Sequence, residues 1–426
     1  MTRPRRPATV STEITGTMLH KIGIPLARYL FDASLRYLKT HNPHTTRTLP
    51  VTARAPVLVL HSGASLEAGG LEHVKPWLPH LQVSGIEYLL VARTMDTYEA
   101  MLAAYPDAPV SLVKGSTDTD TLFRRFPSIR SILYVANTAS NNQFLRYPDL
   151  AHVFLGHGDS DKSASMNRLF KVYDEVFVSG QAHIDRFRHA DFDTTGMKFR
   201  IVGRPQVADL LADGDRAIDP ARILYLPTWE GYHEDQAYSS LPFAAELLSV
   251  ACASGLQVQA KLHPATGAFN KRYLDAERDI AAAMPEGAAA VTFVPRTTRL
   301  ADALAADAIF VCDVSAAVSE CLALDRPIFV HVPATGNVRI LSGRMTYADY
   351  AYTFSSVAEF AAKLQRVLAG DDHLAAARHA AREYFISPRA TGERVFQQAL
   401  RSLAGLPDPT DAPPAPSPSL TEAVSP

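Results

Sequence analysis

The chain has 426 residues, 47% of them hydrophobic and 20% charged, a composition that supports a packed core and excludes collagen-like or wholly disordered architectures. Its length is too great for one ordinary domain and suits two of about 150–200 residues each. Lys plus Arg total 42 against 44 Asp plus Glu, which removes the basic footprint of a dedicated nucleic-acid binder; the three cysteines, with no CxxC pair, exclude a disulfide framework and fit small core residues in a reducing compartment.

The N-terminal MTRPRRPATV is basic, but no signal-peptide apolar core follows it, and no apolar run reaches the roughly 18 residues of a membrane span. A cytoplasmic location is therefore expected. Residues 11–41 read as an amphipathic helix, with Leu19, Ile22, Leu26, Leu30, Leu35 and Leu38 near helical spacing, Lys21, Arg28, Arg36 and Lys39 adding basic character, and Pro25 kinking it. Two uses are open for this helix: packing against the body of the protein, or lying on an anionic membrane surface at the inner face of the cell membrane.

From residue 56 the pattern alternates strand and helix. Apolar runs at 57–60, 88–92, 131–135, 152–155, 175–178 and 199–202 form a first series, closed by Gly203-Arg204-Pro205; runs at 223–226, 257–261, 291–294, 308–311 and 327–330 form a second. Continuous apolar strands separated by helical segments imply parallel sheets covered on both faces. The expected fold class is α/β, two doubly wound Rossmann-like domains over 51–205 and 206–404 facing across a cleft, which is the default ligand site. Residues 355–404 read as helical, and the Pro-rich tail over 405–426 as disordered.

Four segments carry candidate chemistry. In Gly156-His157-Gly158-Asp159-Ser160-Asp161-Lys162, a histidine between glycines ends a strand, and a helix with Lys162 in its first turn is expected. Such a His can take a proton from a hydroxyl, or can be an ordinary loop residue. Asp159-Ser160-Asp161 reads either as an acidic metal pair through its two carboxylates or as a helix start capped by Asp159 or Ser160, and the cap is favoured. In Lys261-Leu262-His263-Pro264, the cation beside an imidazole can hold a phosphate, or His263 can be a turn residue. In Cys312-Asp313-Val314-Ser315-Ala316-Ala317, followed by Glu320, the start of a helix offers a phosphate cradle, with Glu320 one turn on and within reach of a ribose hydroxyl; the alternative is a helix simply capped by Ser315. In Pro227-Thr228-Trp229, Thr228 can donate to a phosphate, while Trp229 reads as a core residue or a cleft neighbour. Trp77, the other tryptophan, carries no motif.

In this order, the segments resemble the CDP-glycerol glycerophosphotransferase family, the teichoic-acid primases and polymerases with a GT-B fold. The residues that carry the resemblance are His157-Gly158 with Lys162, Pro227-Thr228-Trp229, His263-Pro264, Asp313 with Ser315, and Leu324-Asp325-Arg326-Pro327, spanning roughly 130–335. Departures are Asp159-Ser160-Asp161 for the family's Thr-Pro-Leu, Val314 for Tyr, Ala316 for a second Ser, and Glu320 where Asp is usual. The resemblance implies attack by an acceptor hydroxyl on the β-phosphorus of a CDP-alditol such as CDP-glycerol, with CMP leaving. His157 is then the general base. His263 and Lys261 neutralise the diphosphate, while Lys162, Thr228, Ser315 and the N–H groups of Ala316 and Ala317 bind the donor, and Glu320 meets the ribose. No cofactor and no obligatory metal are implied. The expected acceptor is a cell-wall or capsule-type polymer or a lipid-linked molecule. Two alternatives remain: a GT-B glycosyltransferase using a nucleotide sugar, and a degenerate member that binds without turnover.

Overall fold

The structure, a computed structural model, describes residues 55–407 apart from 163–165, 213–218, 232–236, 287–290, 306, 335–337, 342 and 392. The expected helix over 11–41 and nearly all of the Pro-rich tail lie outside the described residues. No helix among the described residues is long and apolar enough to cross a membrane.

The first half holds β1 (Leu58–Ser62), β2 (Tyr88–Ala92), β3 (Val110–Leu112), β4 (Ser131–Tyr134), β5 (Ala151–Phe154), β6 (Glu175–Val178) and β7 (Phe199–Ile201). They form one parallel sheet in the order β3-β2-β1-β4-β5-β6-β7. The second half holds β8 (Asp219–Leu226), β9 (Gln257–Ala260), β10 (Thr292–Phe293), β11 (Asp307–Asp313), β12 (Ile328–His331) and β13 (Tyr352–Phe354), parallel in the order β10-β9-β8-β11-β12-β13. Strand order reverses between β1 and β4 and between β8 and β11, and in such sheets ligands bind outside the carboxyl ends at these points.

Burial on both faces explains the unbroken apolar runs. In β8, Leu224 and Leu226 join one core cluster while Ile223 and Tyr225 join the cluster on the opposite face. Two strands go beyond the expected ones. Val110-Ser111-Leu112 and Tyr352-Thr353-Phe354 are three-residue edges with a half-buried polar centre, too short to stand out as apolar runs.

The helical C-terminal stretch resolves into Val357–Leu368, Ala375–Ile386, Pro388–Thr391 and Glu393–Leu403. The last of these leaves the second half and lies on the first: Phe396 and Leu400 pack with Trp77, Leu78 and Leu81, and the Gln397 amide donates to His80 O at 2.8 Å. The chain crosses at Ser387, in the left-handed region at φ 45°, and at the fully buried Thr391, which packs on Gly203.

Candidate active site

β5 runs into Gly156, at φ +70°, and delivers His157 to the space between the halves. The His157 Nδ1 lies 2.8 Å from Val135 O. A carbonyl only accepts, so Nδ1 carries the hydrogen and Nε2 keeps its lone pair. The ring stacks on His73, with centroids 3.7 Å apart and planes 13° from parallel. The His157 ring reaches solvent, yet the packed surroundings and, secondarily, the Arg204 guanidinium draw its pKa below 6.5, against the opposing Val135 bond.

The second half supplies a histidine of opposite tautomer. His263 follows β9, and its Nδ1 accepts from the Ala265 N–H at 3.1 Å, which leaves the hydrogen on Nε2 as a donor. Desolvation, helped by Lys162, His157, Lys261 and Arg296, pushes its pKa down to about 3. Lys261 is buried and turns its ammonium to Arg296 O at 3.0 Å.

Lys162 crosses from the first half to Thr228, donating to its Oγ1 at 2.7 Å, and lies 5.2 Å from the centre of the Tyr238 ring. Desolvation pulls its pKa to about 8, against the pull of Asp313. The fully buried Asp313 accepts the N–H groups of Thr228 at 2.8 Å and Ser240 at 3.1 Å, and so shapes the turn that presents Thr228. Lys162 does not sit in the first turn of a helix, as expected: it forms an antiparallel bridge with Ile340. The cap candidate Asp159 is otherwise engaged, since Asp159 and Asp161 both bind the buried Arg186, and Asp159 also accepts from Ser179 Oγ at 2.6 Å. Neither the cap nor the metal-pair reading of these two carboxylates describes that arrangement.

Ser315 precedes the short helix Ala316–Cys321, and its Oγ is buried with no partner among the described residues. Ala316 packs on the His157 loop so tightly that a Cβ on Gly158 would lie 2.9 Å from the Ala316 Cβ. Ala317 is half-buried on the next position of the same turn. Glu320 is paired with Arg204, both buried, and the Arg204 Nη2 also lies 3.4 Å from His157 O. His157, His263, Lys162 and Thr228 are thus gathered at one place, whereas Lys261 and Glu320 have their charged ends engaged by protein groups.

Three further residues shape the site without a motif to announce them. Trp77 is buried and its Nε1–H donates to Gly156 O at 2.7 Å. His73 stacks on His157, and Arg204 sits in the Gly203-Arg204-Pro205 stretch that reads as a mere boundary. A lone Arg between Gly and Pro is the one available signal. Trp229 is half-buried against Phe269, with ring centres 5.3 Å apart.

No curated protein matches the chain in sequence. Among solved structures, the wall teichoic acid polymerase TagF is similar with a TM-score of 0.53 at 12% identity, over 89% of this chain and 97% of that one. A putative UDP-N-acetylglucosamine 2-epimerase from Listeria monocytogenes gives 0.52 at 10% identity over 84% and 99%, and a glycosyltransferase from Rickettsia africae gives 0.50 at 10% over 82% and 99%. These likenesses establish the GT-B fold. Residues 136–395 match the family described as CDP-glycerol:poly(glycerophosphate) glycerophosphotransferase. That span is more than half of the chain and contains every motif from His157 to Arg326, and the protein belongs to this family.

Proposed function

We propose that the protein transfers a glycerophosphate, or a related alditol phosphate, from a CDP-linked donor to a hydroxyl of a polymer or lipid-linked acceptor. The acceptor oxygen forms a bond to the β-phosphorus, the bond from that phosphorus to CMP breaks, and the acceptor proton passes to His157 Nε2. The observation that carries this reading is the pairing of two neutral imidazoles with opposite tautomers: His157 holds a lone pair at Nε2, while His263 holds a hydrogen there. One suits proton abstraction and the other suits donation to a diphosphate oxygen. Lys162 and Thr228 supply a cation and a hydroxyl beside them. Ser315 adds a hydroxyl without a partner among the described residues, next to the N–H groups of Ala316 and Ala317. Lys261 and Glu320 reach donor groups in this scheme once they leave Arg296 and Arg204. A TagF crystal was soaked with CDPG, a donor of the class assigned here.

The reaction as proposed uses no metal held by Asp159 and Asp161, because Arg186 occupies their carboxylates. The basic segment over 11–41 is the proposed point of contact with an anionic membrane surface bearing the acceptor.

The deciding experiment incubates the protein with CDP-glycerol, CDP-ribitol, UDP-sugars or GDP-sugars and a glycerophosphate-primed acceptor, and follows nucleotide release. CMP release with acceptor growth from a CDP-alditol alone is the expected result. Release of UDP or GDP moves the chemistry to glycosyl transfer, and tight binding without release marks a non-catalytic member.

A further inference from the structure

The segment before the first motif makes two contacts with the loop that carries His157. Gly69 stands at φ +90°, and a Cβ there would meet His73 Nε2 at 2.6 Å, so a glycine is needed for the His73 ring to lie where it does. The His73 N–H bonds Gly69 O at 2.9 Å, which fixes the turn. From this turn the His73 ring covers the face of the His157 imidazole, centroids 3.7 Å apart, and four residues on Trp77 holds Gly156 O at 2.7 Å. The family match begins at residue 136, so both residues lie outside it.

We propose that His73 is a positioning residue for His157: its flat ring, packed face to face on the imidazole, fixes the plane of that imidazole and so the direction in which Nε2 meets the acceptor hydroxyl. The inference rests on the base role proposed for His157.

The contact calls for a neutral aromatic face. Two cationic rings at this separation would repel each other. Desolvation, with the facing His157 and His263, holds the pKa of His73 well below 6.5, so at neutral pH it is uncharged. When His157 takes the acceptor proton, an uncharged π face beside it favours the new cation. His73 Nδ1 is buried with no partner among the described residues, so no hydrogen bond from them to that nitrogen orients either ring. Shape and planarity carry the role, and phenylalanine can perform it.

The test compares full-length wild type with His73→Phe, His73→Ala, His73→Leu and His157→Ala, by steady-state CMP release across pH and by NMR titration of the histidine Cε1–H signals. His73→Ala and His73→Leu are expected to lower kcat by about 10- to 100-fold, the range that misplacing a reacting group produces, with the donor KM unchanged. The acid limb should move to higher pH in His73→Ala, as water reaches a ring otherwise faced by His73, His263 and Arg204. His73→Phe should retain kcat and the wild-type limb. Loss in His73→Phe equal to that in His73→Ala overturns the stacking role, as does wild-type kcat in His73→Ala while His157→Ala is dead. Wild-type turnover in His157→Ala instead removes the base reading. The NMR arm then still decides the pairing: His157 should titrate closer to 6.5 in His73→Ala than in wild type, and an unchanged titration overturns it. Should His73→Ala fail to fold, His73→Leu takes its place in each comparison.

Discussion

Arg204 and Glu320, 116 residues apart in the chain, form a buried ion pair that ties the boundary after β7 to the helix Ala316–Cys321. The same guanidinium reaches the carbonyl of His157. One cation thus links the loop of the proposed base, the inter-half boundary and the carboxylate proposed to meet the donor ribose. Removing one member of such a pair leaves the other charged and buried, at a cost of about 3–5 kcal/mol, whereas replacing both with apolar groups of similar volume is often neutral. Glu320→Leu and Arg204→Met should each lower Tm markedly, and the two combined should recover much of the loss. Additive losses in the double variant would show that the two charges do not depend on each other.

His157→Gln should reduce CMP release by about 10²–10⁴-fold, the usual contribution of a general base, while Tm stays near that of the wild type, because His157 is exposed and its ring makes one polar contact among the described residues, to Val135 O. The pH profile carries a second expectation. A base works in its neutral form, and desolvation places the His157 pKa below 6.5, so activity should persist as pH falls through 6.5 and decline only beneath it. An acid limb of kcat/KM centred above 6.5 would assign the titration to another group.

Asp159 and Asp161 are held by Arg186, with His183 Nδ1 a further 3.4 Å from Asp159. Their spacing imitates a metal-binding pair, yet their oxygens face a guanidinium. EDTA should leave CMP release unchanged, and Asp161→Asn should lower Tm rather than activity per folded molecule. Abolition by EDTA with recovery on adding Mg²⁺ or Mn²⁺ would assign a metal to the reaction.

The strand pattern and the doubly wound class are legible because parallel strands buried on both faces produce unbroken apolar runs such as Ile223-Leu224-Tyr225-Leu226. His157, Thr228 and His263 stand out because each follows such a run, where the chain must turn. His73 and Trp77 do not, since neither a strand nor a glycine-flanked motif marks them and their importance arises from contacts 84 and 79 residues away in sequence, to His157 and Gly156. The same holds for Asp159 and Asp161: local sequence offers a cap, and only the fold brings Arg186 to them. Periodicity shows that 393–403 is helical, but not that its apolar stripe, with Phe396 and Leu400, covers the first sheet.

That return crossing gives the last prediction. Gly203 stands at φ +73°, and a Cβ there would meet the Thr391 backbone at 2.2 Å, while Thr391 Oγ1 accepts the Arg204 N–H at 3.1 Å. Gly255 has a similar φ of +80° with nothing within 4 Å of a Cβ. Both positions impose left-handed strain of about 1–2 kcal/mol on alanine, but only Gly203 adds a backbone collision that no side-chain rotation relieves. Gly203→Ala should therefore lower Tm well beyond Gly255→Ala. It should also raise the susceptibility of the Ser387–Thr391 stretch to proteolysis, as the last helix loosens from the first half. Equal Tm losses in the two variants would mean that the crossing shifts freely and that Gly203 serves only its own backbone angle.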